Sequence, residues 1–134
     1  MHSIQFQARH DYSKTRGGIT VPIELGYGLE WIRLDAKIDT GAEFCLFERG
    51  YGEALGINIE VGDEKRLSTL SGAIVAFGHE VSLRVLGLEF PLVAFFPQDA
   101  SIHRSLLGRQ GWLRQVRLGL VDYDQMIYLS RYDN

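Results

Sequence analysis

Short apolar segments, Gly-containing turns between them and little helical periodicity predict a mainly β fold, a small closed barrel with one or two short helices. Three observations carry that reading. Ile19-Thr20-Val21-Pro22-Ile23-Glu24-Leu25 alternates apolar with other side chains, as a half-buried strand does. Four more strand-like runs crowd residues 65–96, with little helix along the chain. At 134 residues the chain is long enough to bury one core and too short for two.

The elements follow in order. Residues 1–18 are polar and end in Arg16-Gly17-Gly18, a lead-in or short edge strand. Ile19 to Leu25 is a strand, Gly26-Tyr27-Gly28 a turn, and Trp31 to Ile38 the returning strand, so a hairpin delivers Asp39 to its strand end. Gly26 and Gly28 lack the third Gly and the following helix that a dinucleotide-binding loop needs. Phe47 to Leu55 reads as a short helix, weakened by Gly50 and Gly52 and closed by Gly56. Strands are expected at Lys65 to Leu70, Ala73 to Phe77, His79 to Val85 and Leu88 to Phe96, with turns at Leu70-Ser71-Gly72 and near Gly87. A loop at Pro97 to Ala100 precedes the Ser105 to Leu107 strand, and Gly111 to Val116 suits a helical turn or two. Val116 to Tyr123 and Met126 to Arg131 can pair across Asp124-Gln125. No repeat, low-complexity tract or linker interrupts this order, so residues 1–134 are expected to form a single domain with its core over 19–131.

Composition narrows the function classes. Apolar residues make up 46% and charged ones 23%, the balance of a soluble globular protein. A net charge of −3 with scattered Lys and Arg gives no polyanion footprint, so nucleic acid is not an expected partner. The single cysteine, Cys45, excludes an internal disulfide and suits a reducing compartment. Flanked by Phe44, Leu46 and Phe47, it reads as a small buried apolar residue rather than a nucleophile. Residues 1–10 hold no apolar core of signal-peptide length, and the most apolar run, Leu88 to Pro97, is too short for a membrane span and contains Glu89. A cytoplasmic protein with no membrane partner is the expectation. His2, His10, His79 and His103 are too dispersed for metal-ligand spacing, so no metal is expected. No Gly-x-Ser-x-Gly elbow supports serine-hydrolase chemistry, and Trp31, Trp112, Tyr123 and Tyr128 read as core and interface aromatics.

The chemistry concentrates in Ala36-Lys37-Ile38-Asp39-Thr40-Gly41-Ala42-Glu43-Phe44-Cys45-Leu46 and, downstream, Ser105-Leu106-Leu107-Gly108-Arg109. A carboxylate that activates water belongs at the end of a rigid element with its oxygens fixed by donors. Asp39 has that position, Thr40 brings a hydroxyl that both gives and accepts hydrogen bonds, and Gly41 lets backbone or ligand approach closely. Asp before Gly also opens ordinary Asx-turns, which is the purely structural use of the same residues. Taken together, the two segments resemble the signature elements of retropepsin-like (retroviral-type) aspartic proteases.

That resemblance implies an aspartic endopeptidase with Asp39, Thr40 and Gly41 as its catalytic triplet and no cofactor. Peptide hydrolysis by this route needs two carboxylates sharing one proton. The sequence holds one Asp-Thr-Gly and no Asp-Ser-Gly, so the second Asp39 is expected from another copy, in a homodimer with one half-site per subunit. In retropepsins the Thr ties the two loops together across the dimer, and the Gly and Ala lie along the substrate backbone; Thr40, Gly41 and Ala42 match. Thr69, Leu70, Ser71 and Gly72 match the tip of the hairpin flap over an extended polypeptide substrate, although this tip is poorer in Gly than retroviral flaps. The resemblance further implies a supporting ion pair between Arg109, which follows Gly108, and Glu43, where retroviral enzymes usually carry Asp. Retropepsins hold their dimers through terminal strands, whereas the chain beyond Gly111 is longer here and ends in an extra hairpin, so the assembly mode is open. The alternative is a non-catalytic module of the same fold that holds a protein partner in the cleft or at a sheet edge.

Overall fold

Residues 8–11 form β1 (Ala8–Asp11), the edge strand that the polar lead-in allowed. This computed structural model describes residues 1–14 and 17–134, so Arg16 of that lead-in lies outside the described residues. The predicted hairpin follows as β2 (Thr20–Tyr27) and β3 (Glu30–Ile38), but its turn sits at Gly28-Leu29 rather than Gly26-Tyr27-Gly28. Gly26 stays in the strand because the Trp31 ring lies directly over it; a Cβ there would fall 2.7 Å from the indole. Arg84 caps the same ring, its guanidinium 3.6 Å from the ring centroid.

Two residues that sequence reading left unassigned to a strand, Cys45 and Leu46, form β4 (Cys45–Leu46). The helix α1 (Arg49–Ala54) begins two residues later than the predicted Phe47, because the Phe47 N–H still bonds the Phe95 carbonyl at 2.9 Å and holds that residue on the sheet. Gly56, at φ +84°, ends it as expected. A helical turn at Ile59–Val61 leads into β5 (Asp63–Thr69) and β6 (Gly72–Val85). The sequence suggested two strands here, broken at Gly78. Instead β6 runs unbroken for 14 residues, since its first half pairs with β5 while its length from Ala76 onward pairs with β7 (Leu88–Pro97). Leu86 at φ +49° and Gly87 at φ +82° make the tight β6–β7 turn, where left-handed backbone matches the strand twist. The chain closes with β8 (Leu106–Leu107), a helical turn at Leu113–Gln115, β9 (Val116–Val121), a turn through Asp122–Asp124 and β10 (Met126–Arg131).

Strands make up 53% of the structure and helix 11%. β2, β3, β8, β4, β7 and β6 are neighbours in that order, and β2 pairs back onto β6, which closes a six-stranded barrel. β5 hangs outside the ring as the second arm of the β5–β6 hairpin. The interior is filled by inward residues of the barrel strands, among them Val21, Leu25, Leu83, Phe90 and Phe96, and by Trp112 from the segment after β8, all nearly free of solvent. Each such side chain contributes roughly 2 kcal/mol by leaving water. A separate three-stranded sheet, β1-β10-β9, carries Ile127 and Leu129 into the same core. Among the described residues no helix is long and apolar enough to cross a membrane. Closure of the ring brings the ends of β3 and β8 together, and the chemistry-bearing residues sit there.

Candidate active site

β3 and β8 run parallel, with Lys37 opposite Leu106 and Ile38 opposite Leu107. Their shared end places Asp39 beside Gly108, and the Asp39 N–H bonds the Leu107 carbonyl at 3.1 Å. The chain then turns tightly. The Gly41 N–H donates to Asp39 Oδ1 at 2.9 Å, and the Ala42 N–H to the Asp39 carbonyl at 3.2 Å. This is the Asx-turn geometry the sequence admitted, and it also fixes one carboxylate oxygen of a half-buried Asp39. Oδ2 receives no hydrogen bond among the described residues. Thr40 is exposed, and its hydroxyl likewise makes none there.

The Asp39 loop is braced from below by the segment after β8. The Arg109 N–H bonds the Ala42 carbonyl at 2.9 Å, and the Gln110 N–H bonds the Glu43 carbonyl at 2.7 Å. Gly108 passes so close to the loop that a Cβ would lie 2.7 Å from the Phe44 carbonyl carbon and 2.8 Å from the Ala42 oxygen. Only Gly fits that crossing. Cys45 packs at its centre, with the Gly108 N–H pointing at Sγ from 3.4 Å. Burial pushes the Cys45 thiol up from its ordinary 9.0 to about 11, against a smaller lowering by the Gly108 and Trp112 backbone. The thiol is therefore inert, as its apolar neighbours suggested.

The Glu43–Arg109 ion pair is not formed in the single chain. Glu43 Oε1 instead accepts from Gln110 Nε2 at 3.3 Å, and Arg109 has no acidic partner within ion-pair distance among the described residues. Backbone bonds already tie the two segments together, and both side chains are exposed. Arg109, Gln110 and Arg114 line a polar recess with Thr40, Gly41 and Glu43.

Above the loop lies the β5–β6 hairpin. It turns at Leu70-Ser71, between Thr69 and Gly72, where the Thr69 hydroxyl donates to the Gly72 carbonyl. Gly72 adopts φ +119°, a region that favours glycine, so the one Gly near the tip is used by the turn itself. A cleft of about 320 Å³ separates hairpin from loop and gathers Gly41, Ala42, Glu43 and Thr69 with Phe44, Leu46, Leu67, Ile74 and Leu106. Thr69 and Ser71 also border an adjoining recess with Ile102, His103 and Arg104, while Leu70 and Gly72 line neither. Sequence reasoning missed the cleft floor of Phe44, Leu46, Leu67 and Ile74. Leu67 and Ile74 are cross-strand partners, so a register of the hairpin would have revealed them. It also missed Lys65, whose ammonium sits 4.2 Å from the Phe44 ring centre and links the hairpin to the Asp39 loop. His103 Nδ1 meets Glu48 Oε1 at 2.9 Å on the far rim.

Among the described residues no group of three His, Cys, Asp or Glu side chains is placed to hold a metal ion. No family model and no curated protein matches the chain. Solved structures do. A retropepsin-like aspartic protease from Rickettsia conorii superposes with a TM-score of 0.61 at 16% identity, over 83% of this chain and 89% of that one. EIAV protease, solved in complex with the inhibitor HBY-793, superposes with a TM-score of 0.55 at 16% identity, over 71% of this chain and 85% of that one. At such identity the likeness establishes architecture: the chain has the retropepsin-like aspartic-protease fold.

Proposed function

We propose that the protein is an aspartic endopeptidase that works as a homodimer, with one Asp39 from each copy. The observation that carries this is the Asp39 carboxylate itself, one oxygen held by the Gly41 N–H and the other without a donor among the described residues, next to a cleft of mixed polar and apolar lining under a hairpin in a protease fold. Two such carboxylates brought together retain one proton between them. The ionised one takes a proton from a bound water as that water attacks the scissile carbonyl. The protonated one donates toward the carbonyl oxygen, and the leaving nitrogen is protonated as the tetrahedral intermediate collapses. Thr40, exposed and without a hydrogen bond among the described residues, ties its loop to the partner's; Gly41 and Ala42 lie along the substrate backbone.

The substrate is an extended polypeptide laid against the cleft, with apolar side chains over Phe44, Leu46, Ile74 and Leu106 and the Thr69–Gly72 tip closing above it. A cytoplasmic setting agrees with a lone buried cysteine. The test is incubation with a mixed peptide library from mildly acidic to neutral pH, beside Asp39→Asn, with cleavage read by mass spectrometry. Cuts made by the wild type and absent from the variant support the endopeptidase. An intact library for both moves the reading to a non-catalytic module that binds a protein partner.

A further inference from the structure

We propose that the cleft selects polypeptides carrying an acidic side chain close to the scissile bond, and that Arg104 is the residue that reads it. The proposal rests on the endopeptidase reading, since it names the substrate class of that same site.

The recess that Arg104 lines, about 260 Å³, opens off the cleft. The two share Leu46, Thr69, Ile74 and Leu106, so a strand laid along the cleft passes across the mouth of the recess. Alternate side chains of a strand point to one face, and one of them can therefore enter it. Leu106 also sets how near the recess lies to the chemistry. It immediately precedes Leu107, whose carbonyl accepts the Asp39 N–H.

Charge singles out the occupant. The chain carries a net charge of −3, yet no acid lines this recess among the described residues. The acids nearby are already engaged. Glu48 meets His103 at 2.9 Å, and Asp99 accepts from the Ser101 N–H and hydroxyl at 2.8 and 2.7 Å. In the cleft itself Glu43 is the one acid of the described lining, and it accepts from Gln110. The cations are not matched in this way. Arg104 is exposed and has no carboxylate within ion-pair distance among the described residues. Lys65, seated over the Phe44 ring that lines the cleft, has none there either.

A substrate carboxylate supplies what Arg104 lacks. The guanidinium offers a planar fork of donors that a carboxylate accepts in two-pronged fashion, and the attraction strengthens once the peptide covers the recess and displaces water. Leu46, Ile74 and Leu106 give apolar contact to a methylene stem, which favours Glu over the shorter Asp. A substrate Lys or Arg at the same position meets a like charge and is rejected.

The test walks a single Glu, Gln or Lys along an otherwise uncharged, apolar-rich peptide that carries a fluorescent label. Cleavage by the wild type is read as kcat/KM, and binding to Asp39→Asn is read by fluorescence anisotropy. At one position Glu should exceed Gln by about tenfold in both readouts, with Lys below Gln. Added salt should shrink that gap. Arg104→Gln should erase it and Arg104→Glu should reverse it in favour of Lys, with near-UV circular dichroism reporting that each variant is folded. Equal treatment of Glu and Gln at every position, or a Glu preference that persists in both Arg104 variants, overturns the proposal. Cleavage without such a preference removes Arg104 as the reader and keeps the endopeptidase. A wild type that cleaves nothing, beside a Glu preference in binding that Arg104→Glu reverses, keeps the recess and removes the endopeptidase. Absence of binding and cleavage for every peptide overturns both.

Discussion

Gly108 touches the Phe44 peptide so closely that the site loop and its brace share one surface with no room for a methyl group. The obstacle is backbone on both sides, which cannot swing away as a flexible side chain can. Gly108→Ala is therefore expected to cost about 3 kcal/mol or more of stability, at the upper end of overpacking effects. Urea unfolding of the variant measures it. A loss under about 0.5 kcal/mol would show that the crossing relaxes freely and does not hold Asp39 in place.

Gly41 separates position from stability. A Cβ there would sit 3.3 Å from Asp39 Oδ1 and near nothing else, so Gly41→Ala nudges only the carboxylate and its N–H donor. Stability should stay within about 1 kcal/mol of wild type. Peptidase kcat/KM should fall by about tenfold or more, because small displacements of a reacting group weigh heavily on rate. Unchanged kcat/KM would mean that the Gly41 contact does not set the carboxylate's working position.

The geometry of the candidate site was partly legible because its two segments are short contiguous strings. Asp39-Thr40-Gly41 needs only a strand end and a turn, both local in sequence, and the hairpin of β2 and β3 announced them by alternation. What stayed hidden depends on closure of the barrel. β4 is two residues long and exists because β7 and β8 flank it, so no local pattern could mark it. Gly78 looked like a strand break, yet two partner strands hold β6 extended through it. The Glu43–Arg109 pairing, implied by family resemblance, is not formed in the single chain: backbone hydrogen bonds already join those segments, and Glu43 accepts from Gln110 instead.

Cys45 offers a direct readout of the brace. Its thiol is raised to about 11 by burial, whereas in an unfolded chain it ionises near 9.0. The folded state therefore keeps a proton that the unfolded state gives up. The associated stability is complete below pH 9.0 and is lost as pH rises toward 11. At pH 8 a thiol-reactive disulfide reagent should modify the native protein only as fast as it unfolds, and at once in denaturant. Rapid native modification would place Cys45 on an opening far easier than global unfolding.

The hairpin tip can be tested apart from the fold. Leu70 is fully exposed and lines no recess in the single chain, so Leu70→Ser should leave stability within about 0.5 kcal/mol. If the tip closes over substrate, Leu70 becomes buried in the complex and its loss should raise KM by about tenfold, with kcat less affected. Identical KM values for the two proteins would show that the tip does not touch the peptide.

The outer end of the site domain carries its own acid sensitivity. Arg49 grips Glu60 with both terminal guanidinium nitrogens, at 2.5 and 3.0 Å, and also reaches the Gln98 carbonyl at 3.3 Å, clamping α1 to the turn before β5. That hydrogen bond holds the Glu60 carboxyl below its ordinary 4.5. A carboxylate depressed in the folded state contributes stability above its unfolded value and loses it as pH falls through the folded one. Wild type should therefore exceed Glu60→Gln in stability at neutral pH, and the difference should shrink once the pH drops below 4.5. Asp11 and Asp99, lowered chiefly by hydrogen bonds from Ser13 and Ser101, contribute acid sensitivity to both proteins alike and cancel in the comparison. Thermal unfolding of the two proteins from pH 3 to 7 decides it. Parallel curves across that range would mean that the Arg49–Glu60 clamp is dispensable, and that any acid limit on peptidase activity arises at the site itself.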